Sequence, residues 1–235
     1  MRKKNVVIAL PAYTGQVHIS TMKSLLFDIM QLAKRGDSIS VQEQSGNALI
    51  GDCRAIIVQL FLSNPHATHL VMVDSDVCWQ AGGIAQLVDH GVDFVCGMYP
   101  VKREPLTFNM RSAMERGEGL FVDPQNGLVE VWGVPAGFVC LSRVMLEKMI
   151  AAYPETEFKV ENKDCPGGKA YALFDPYRVP GTTEKLGEDY AFCARWRDIG
   201  GKVWIDPNIC MGHIGWKTYS GELGQCLAPE NEEAA

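Results

Sequence analysis

"LVMVDSDVCW" (residues 70–79) sets a run of apolar residues directly against two acids, Asp74 and Asp76. The apolar part is continuous rather than alternating, which reads as a strand buried on both faces, as in the interior of a parallel sheet. Acids at the end of such a strand mark its carboxyl end, where open α/β sheets place their ligand crevices. Two carboxylates one residue apart, on a backbone leaving a strand, can both turn toward one hard cation. Mg²⁺ or Mn²⁺, with phosphate oxygens completing the shell, suits that donor set. The competing reading is a plain turn, in which Asp and Ser serve the chain reversal and the next helix.

Working outward, the same alternation of elements recurs on both sides. "NVVIAL" is a short β-rich run that ends at a Pro-Ala-Tyr-Thr-Gly turn. A helical spacing follows at Met22, Leu25, Leu26, Ile29 and Ala33, and these residues are the expected inner face. "RGDSISVQEQ" holds a Gly stop and a second strand, and Leu49, Cys53, Ile56, Ile57 and Leu60 repeat the helical period. After the acids come a short helix around Ile84, Leu87 and Val88 and a strand, "VDFVCGMY". Strand and helix in turn predict an α/β fold with a mostly parallel central sheet flanked by helices.

The second part of the chain is less regular. "GLFVD", "LVEVWGV" and "GFVCL" read as short strands, and Ser142 caps a helix through Met145, Leu146 and Met149. Residues 153–186 are rich in Pro, Gly and charge and lack a period, which predicts a long loop that acts as a mobile lid. "GEDYAFCARWRDIGG" is a helix with Phe192, Cys193, Trp196 and Ile199 inward, stopped by Gly200-Gly201. "KVWID" is a last strand, and "PENEEAA" is an acidic tail expected to be disordered.

Composition narrows the function classes. At 235 residues and 47% hydrophobic, the chain can build one substantial domain. Its eight cysteines are scattered without a Cys-x-x-Cys pair and read as buried free thiols at Cys53, Cys96, Cys140 and Cys193. The net charge of −6 gives no general attraction to nucleic acid or anionic lipid. The apolar run Val6 to Leu10 is too short for a signal-peptide core or a membrane span, so the expected location is the cytoplasm.

Two further candidates lie far along the chain. His213, in "ICMGHIGW", is expected in a glycine-flanked turn from which its imidazole reaches the crevice. Glu188 and Asp189 open a helix, where the dipole and the free amides stabilise acids whether or not they serve chemistry.

The order of "DSD", a glycine-containing "PAGFV", "GED" and a late His resembles the metal-dependent glycosyltransferases of the GT-A fold. The resemblance runs from the first strand to about Trp216, and "HLVMVDSDVCW" with "GMYPVKREP" looks most like the small bacterial and phage members. It implies a single catalytic domain over 1–216, with 1–100 as the nucleotide-binding half, 101–216 as a smaller acceptor side and 217–235 as a tail. It also implies that Pro11, Ala12, Tyr13, Arg54, Asp74, Ser75 and Gly137 face the donor, a nucleotide sugar and most often a UDP-sugar. Asp76 and His213, with Asp74 beside them, would hold Mn²⁺ or Mg²⁺, and Asp189, next to Glu188, would be the base of an inverting transfer.

Two rivals stay open at this stage. A nucleotidyltransferase uses similar acids, although "LPAYTGQVH" has one Gly and no Lys or Arg where such enzymes carry a basic, Gly-rich loop. In a non-catalytic module the acids would be caps or surface residues. The acceptor is equally open. Lys102, Arg103, Arg111, Lys159, Lys163, Lys169, Arg178 and Lys185 would suit DNA bearing a hydroxymethylated base if they line one face. A saccharide or lipid-linked sugar fits as well, since Tyr153, Phe158, Tyr171, Phe174 and Tyr177 can stack on sugar or base.

Overall fold

The computed structural model describes residues 3–112, 120–161 and 165–227. The first part of the chain contributes β1 (Asn5–Ala12), α1 (Ile19–Lys34), β2 (Ser38–Ser45), α2 (Ile50–Ser63), β3 (His69–Val73), β4 (Val77–Trp79), α3 (Gly83–Asp89) and β5 (Phe94–Gly97). It continues with β6 (Arg111–Ser112), β7 (Phe121–Val122), β8 (Val129–Gly133), β9 (Phe138–Ser142), α4 (Arg143–Ala152), β10 (Glu157–Lys159), β11 (Lys169–Tyr171), β12 (Tyr177–Arg178) and β13 (Lys185–Leu186). The last elements are α5 (Glu188–Asp198), β14 (Val203–Asp206), β15 (Met211–Ile214), β16 (Thr218–Gly221) and α6 (Leu223–Leu227).

A nine-stranded sheet in the order β2-β1-β3-β9-β5-β14-β8-β6, with β7 also on β8, forms the centre. β1 is parallel to β2 and β3, and β5 to β14, whereas β9 is antiparallel to both its neighbours, β3 and β5. All the strands therefore point one way except β8 and β9, and the sheet is mostly parallel as the α/β pattern predicts. Leu70, Val71, Met72 and Val73 are each 0% exposed, which is why β3 reads as a continuous apolar run. Its alternate residues feed two cores. Leu70 and Met72 pack with residues of α2, α4 and α5, and Val71 and Val73 with residues of α1 and α3.

Several expectations need correction. The first strand does not stop at Leu10: Pro11 and Ala12 continue it, paired with Gln44 and Ser45 of β2. A proline fits there because pairing with β3 ends at Ala9↔Met72, so no ladder partner is lost on that side. The segment 153–186 is not an unstructured loop. β10 pairs with β11 and β12 with β13, and between these hairpins Leu173 and Phe174 are fully buried. Phe174 stacks on Phe192 of α5 with ring centroids 4.1 Å apart, so the segment cannot lift as one lid and that ring cannot stack on a ligand. β4, β6, β15, β16 and α6 are unanticipated, and residues 218–227 belong to β16 and α6 rather than to a tail. Leu49 and Ile199 are 65% and 37% exposed instead of inward, because each falls at a helix end. The acidic tail and Lys163 lie outside the described residues.

Helix α1 departs furthest from its hydrophobic pattern. Its buried residues are Thr21, Ser24, Leu25, Asp28 and Leu32, while Met22 and Leu26 face outward. The buried polar groups all have work with backbone. Thr21 Oγ1 donates to Ser75 O at 3.2 Å, Ser24 Oγ donates to Trp79 O at 2.7 Å, and Asp28 accepts from Trp79 Nε1, Gly82 N and Ile84 N. The helix thereby fastens the acidic turn and β4, and burial of polar groups costs little when each is bonded.

Candidate functional site

The acidic turn leaves β3 at its carboxyl end and is held from several sides. Asp74 N–H donates to Gly137 O at 2.9 Å, His18 N–H to Ser75 O at 2.9 Å, and Ile214 N–H to Asp76 O at 2.8 Å. Gly137, just before β9, is required for this approach. A Cβ there would overlap the Asp74 carboxylate and the Tyr99 hydroxyl. Gly137→Ala is expected to displace Asp74 and to cost about 1–3 kcal/mol of stability by overpacking, measured by denaturant unfolding.

Arg54, on α2, is only 3% exposed and sits among the acids. One Nη donates to Asp189, the other lies 3.2 Å from Asp74 Oδ1, and Glu188 is 4.0 Å away. Burial by itself would lower the pKa of this guanidinium, but Asp189, Asp74 and Glu188 reverse that and raise it above its ordinary value. Arg54 is therefore a strut between Asp74 and Asp189, its charge already engaged by acids within the cleft. Its guanidinium also lies 5.8 Å over the Phe174 ring, so the 153–186 segment is anchored beneath the site.

Asp189 is partly buried at the start of α5. Desolvation lifts its pKa to about 6, with Arg54 and the Ala136 amide opposing and Glu188 and Asp74 assisting. Asp76 goes the other way. Burial opposes its ionisation, but His213 and Lys102 outweigh that and hold it at about 2.

His213 belongs to β15 and not to a turn. Antiparallel pairing with β4 sets His213 opposite Val77, which delivers Nε2 to 3.7 Å from Asp76 Oδ1. Nδ1 is 2.9 Å from Pro100 O, a carbonyl that can only accept from it, and this contact turns Nε2 toward Asp76. One carboxylate and one neutral imidazole fit a divalent ion whose remaining positions go to water and phosphate. Among the described residues no cluster of three or more His, Cys, Asp or Glu is placed to hold a metal. Lys102 bonds to the other oxygen of Asp76.

A cleft of about 310 Å³ joins these parts. Pro11, Tyr13, Arg54, Asp74, Ser75, Asp76, Glu188 and Asp189 all line it, together with Asn47, Ala48, Ile50 and Cys53. Ala12 is buried in β1 and is not among the lining residues, and His213 and Gly137 act from behind Asp76 and Asp74. Sequence reasoning missed Tyr99. It is 9% exposed, with its ring 4.9 Å from that of His213 and its hydroxyl against Gly137. Burial, with Asp74 and Asp189 next, raises the phenol well above its usual pKa and keeps it a neutral donor. Lys102 was visible only as one of many surface cations.

No protein-family model matches the sequence, and no curated protein matches it. Among solved structures, A197 from STIV superposes with a TM-score of 0.55 at 17% identity, over 98% of this chain and 96% of that one. GalNAc-T7, crystallised with UDP, GalNAc and Mn²⁺, superposes with a TM-score of 0.51 at 12% identity. The match covers 92% of this chain and 45% of that chain. The fold is that of the GT-A glycosyltransferases. In GT-A terms the cleft opens at the carboxyl ends of β1 and β3, where the sheet order changes direction and parallel sheets bind ligands. Among the described residues no helix is long and apolar enough to cross a membrane.

Proposed function

We propose that this protein transfers a glycosyl group from a uridine diphosphate sugar to an acceptor hydroxyl, with inversion at the anomeric carbon. One observation carries the reading: acids from the end of β3 and acids from the start of α5, far apart in sequence, line one cleft. On this reading the donor side comes mainly from residues 1–100 and the acceptor side from 101–216. Pro11, Tyr13 and Ser75 flank the nucleotide, and Asp74, fixed by Arg54 and Gly137, meets ribose or sugar.

Asp76 and His213 would hold Mn²⁺ or Mg²⁺, which when bound supplies positive charge against the departing diphosphate. Lys102, on a flexible stem, adds a cation at the same carboxylate. Asp189 takes the acceptor's hydroxyl proton as the new C–O bond forms at the anomeric carbon. The bond to the diphosphate oxygen breaks with its electron pair, on the opposite face of the sugar. A capping or surface role for the acids, as in a binding module, fits poorly with Asp189 partly buried on Arg54.

For the acceptor, the pairing of the basic residues favours a saccharide over DNA. Arg111 is bound to Glu184 at 2.6 Å and Lys169 to Glu157 at 2.7 Å, so these two cations are engaged where they stand, and Lys102 is committed to Asp76 on the donor side. The test of the donor site is calorimetry with UDP, with and without Mn²⁺. Asp76→Asn is expected to weaken metal-dependent UDP binding by about 1–3 kcal/mol, since a charged ligand is lost. Unchanged binding would remove Asp76 from the site.

A further inference from the structure

Helix α1 is amphipathic in the reverse sense. Ile19, Met22, Leu26, Phe27 and Met30 are 62%, 37%, 52%, 61% and 57% exposed, while Thr21, Ser24 and Asp28 are turned inward. Residues 19, 22, 26 and 30 follow the three-and-four spacing that puts them on one stripe, and Phe27 flanks it. A stripe of this size on one helix marks a contact surface.

Charge identifies what it contacts. The helix exposes Lys23 and Lys34, and among the described residues neither meets a carboxylate. Its one acid, Asp28, is 0% exposed and engaged by Trp79, Gly82 and Ile84. In a chain of net charge −6, this face is apolar and cationic with no exposed acid of its own. A second copy docked through the same face would bring cations to cations. An anionic bilayer offers both an apolar interior boundary for the stripe and phosphates for the lysines.

We infer that the outer face of α1 is a docking surface for an anionic lipid bilayer. The helix lies in the interface plane, with its large side chains below the headgroups and Lys23 and Lys34 among them. The first turn of α1 is bonded to Ser75, so the docked helix is joined directly to one wall of the cleft. Taken with the glycosyl-transfer reading, on which this step alone rests, the acceptor is a lipid-borne sugar.

The experiment is flotation of the full chain with phosphatidylcholine vesicles, with and without phosphatidylglycerol, and without nucleotide. The wild-type protein is expected to float with the anionic vesicles only, and to be released by high salt. Leu26→Gln/Phe27→Gln should lower this binding about tenfold or more through lost apolar burial. UDP calorimetry on the same variant should be unchanged, which shows it folded and separates this inference from the donor assignment. Flotation that is absent, or equal in variant and wild type, overturns the inference. So does sedimentation velocity showing a wild-type dimer that the double variant turns into monomer.

Discussion

Replacing Asp189 by Asn is expected to leave UDP affinity nearly intact while transfer falls by about 10²–10⁴-fold, the contribution of a general base. The amide is close to isosteric but takes no proton at neutral pH. Asp189 suits the task because burial lifts its pKa to about 6, near the pH at which it must accept a proton. A base works in its ionised form, so the wild-type rate should rise as pH increases through about 6 and level off above it. The stability sign is opposite. A carboxyl whose pKa is raised on folding favours the folded state while protonated, and that contribution is lost as pH rises from the unfolded value through about 6. Glu188→Gln is the control, since Glu188 is 36% exposed and 4.0 Å from Arg54. If both acids only stabilise the helix start, either change costs about 0.3–1 kcal/mol of stability and little activity. Transfer rates and unfolding curves for the two variants decide between these outcomes, and an active Asp189→Asn enzyme removes the base.

Arg54→Met is expected to be the most destabilising single change in the site, by about 3–5 kcal/mol at pH 8, because it strips a buried cation from its acids. Asp74 at 3.2 Å, Asp189 in direct contact and Glu188 at 4.0 Å would then face one another unscreened. The loss should shrink at pH 5, where protonation of Asp189 relieves the repulsion that Arg54 otherwise cancels. Its rate profile should shift to higher pH for the same reason, since the ionised form of Asp189 loses its partner. Arg54→Lys should recover only part, because one ammonium cannot span two carboxylates as a planar guanidinium does. Denaturant unfolding at both pH values checks this, and a Met variant as stable as wild type at pH 8 would show that the acids do not depend on Arg54.

How much of the site was legible follows the range of each interaction. Asp74 and Asp76 announce themselves because the strand before them is buried on both faces and the acids end it. Glu188 and Asp189 are legible as a helix start, and Ser142 as a cap, its Oγ accepting from Met145 N at 3.0 Å. These are local rules, in which a residue's neighbours in the chain are also its neighbours in space. His213 could be named as a candidate but not placed, since its position depends on the pairing of β15 with β4. Tyr99 carried no signal of its own, because its meaning comes from Gly137 and Asp74 beside its hydroxyl.

The alternation of strands and helices, the acid pair at a strand's carboxyl end and the GT-A order of motifs were all determined by the sequence alone. They rest on periodicity, turn chemistry and short spacing, which fold-level contacts do not overrule in long, strongly patterned segments. Tertiary structure alone decided that β9 enters between β3 and β5, that Arg54 bridges acids from two distant elements, and that Phe174 pins the 153–186 segment beneath them. It also decided which side of α1 is inside. Periodicity assumes that the buried face is the apolar one, but here backbone groups of the acidic turn and β4 needed partners, and Thr21, Ser24 and Asp28 supply them.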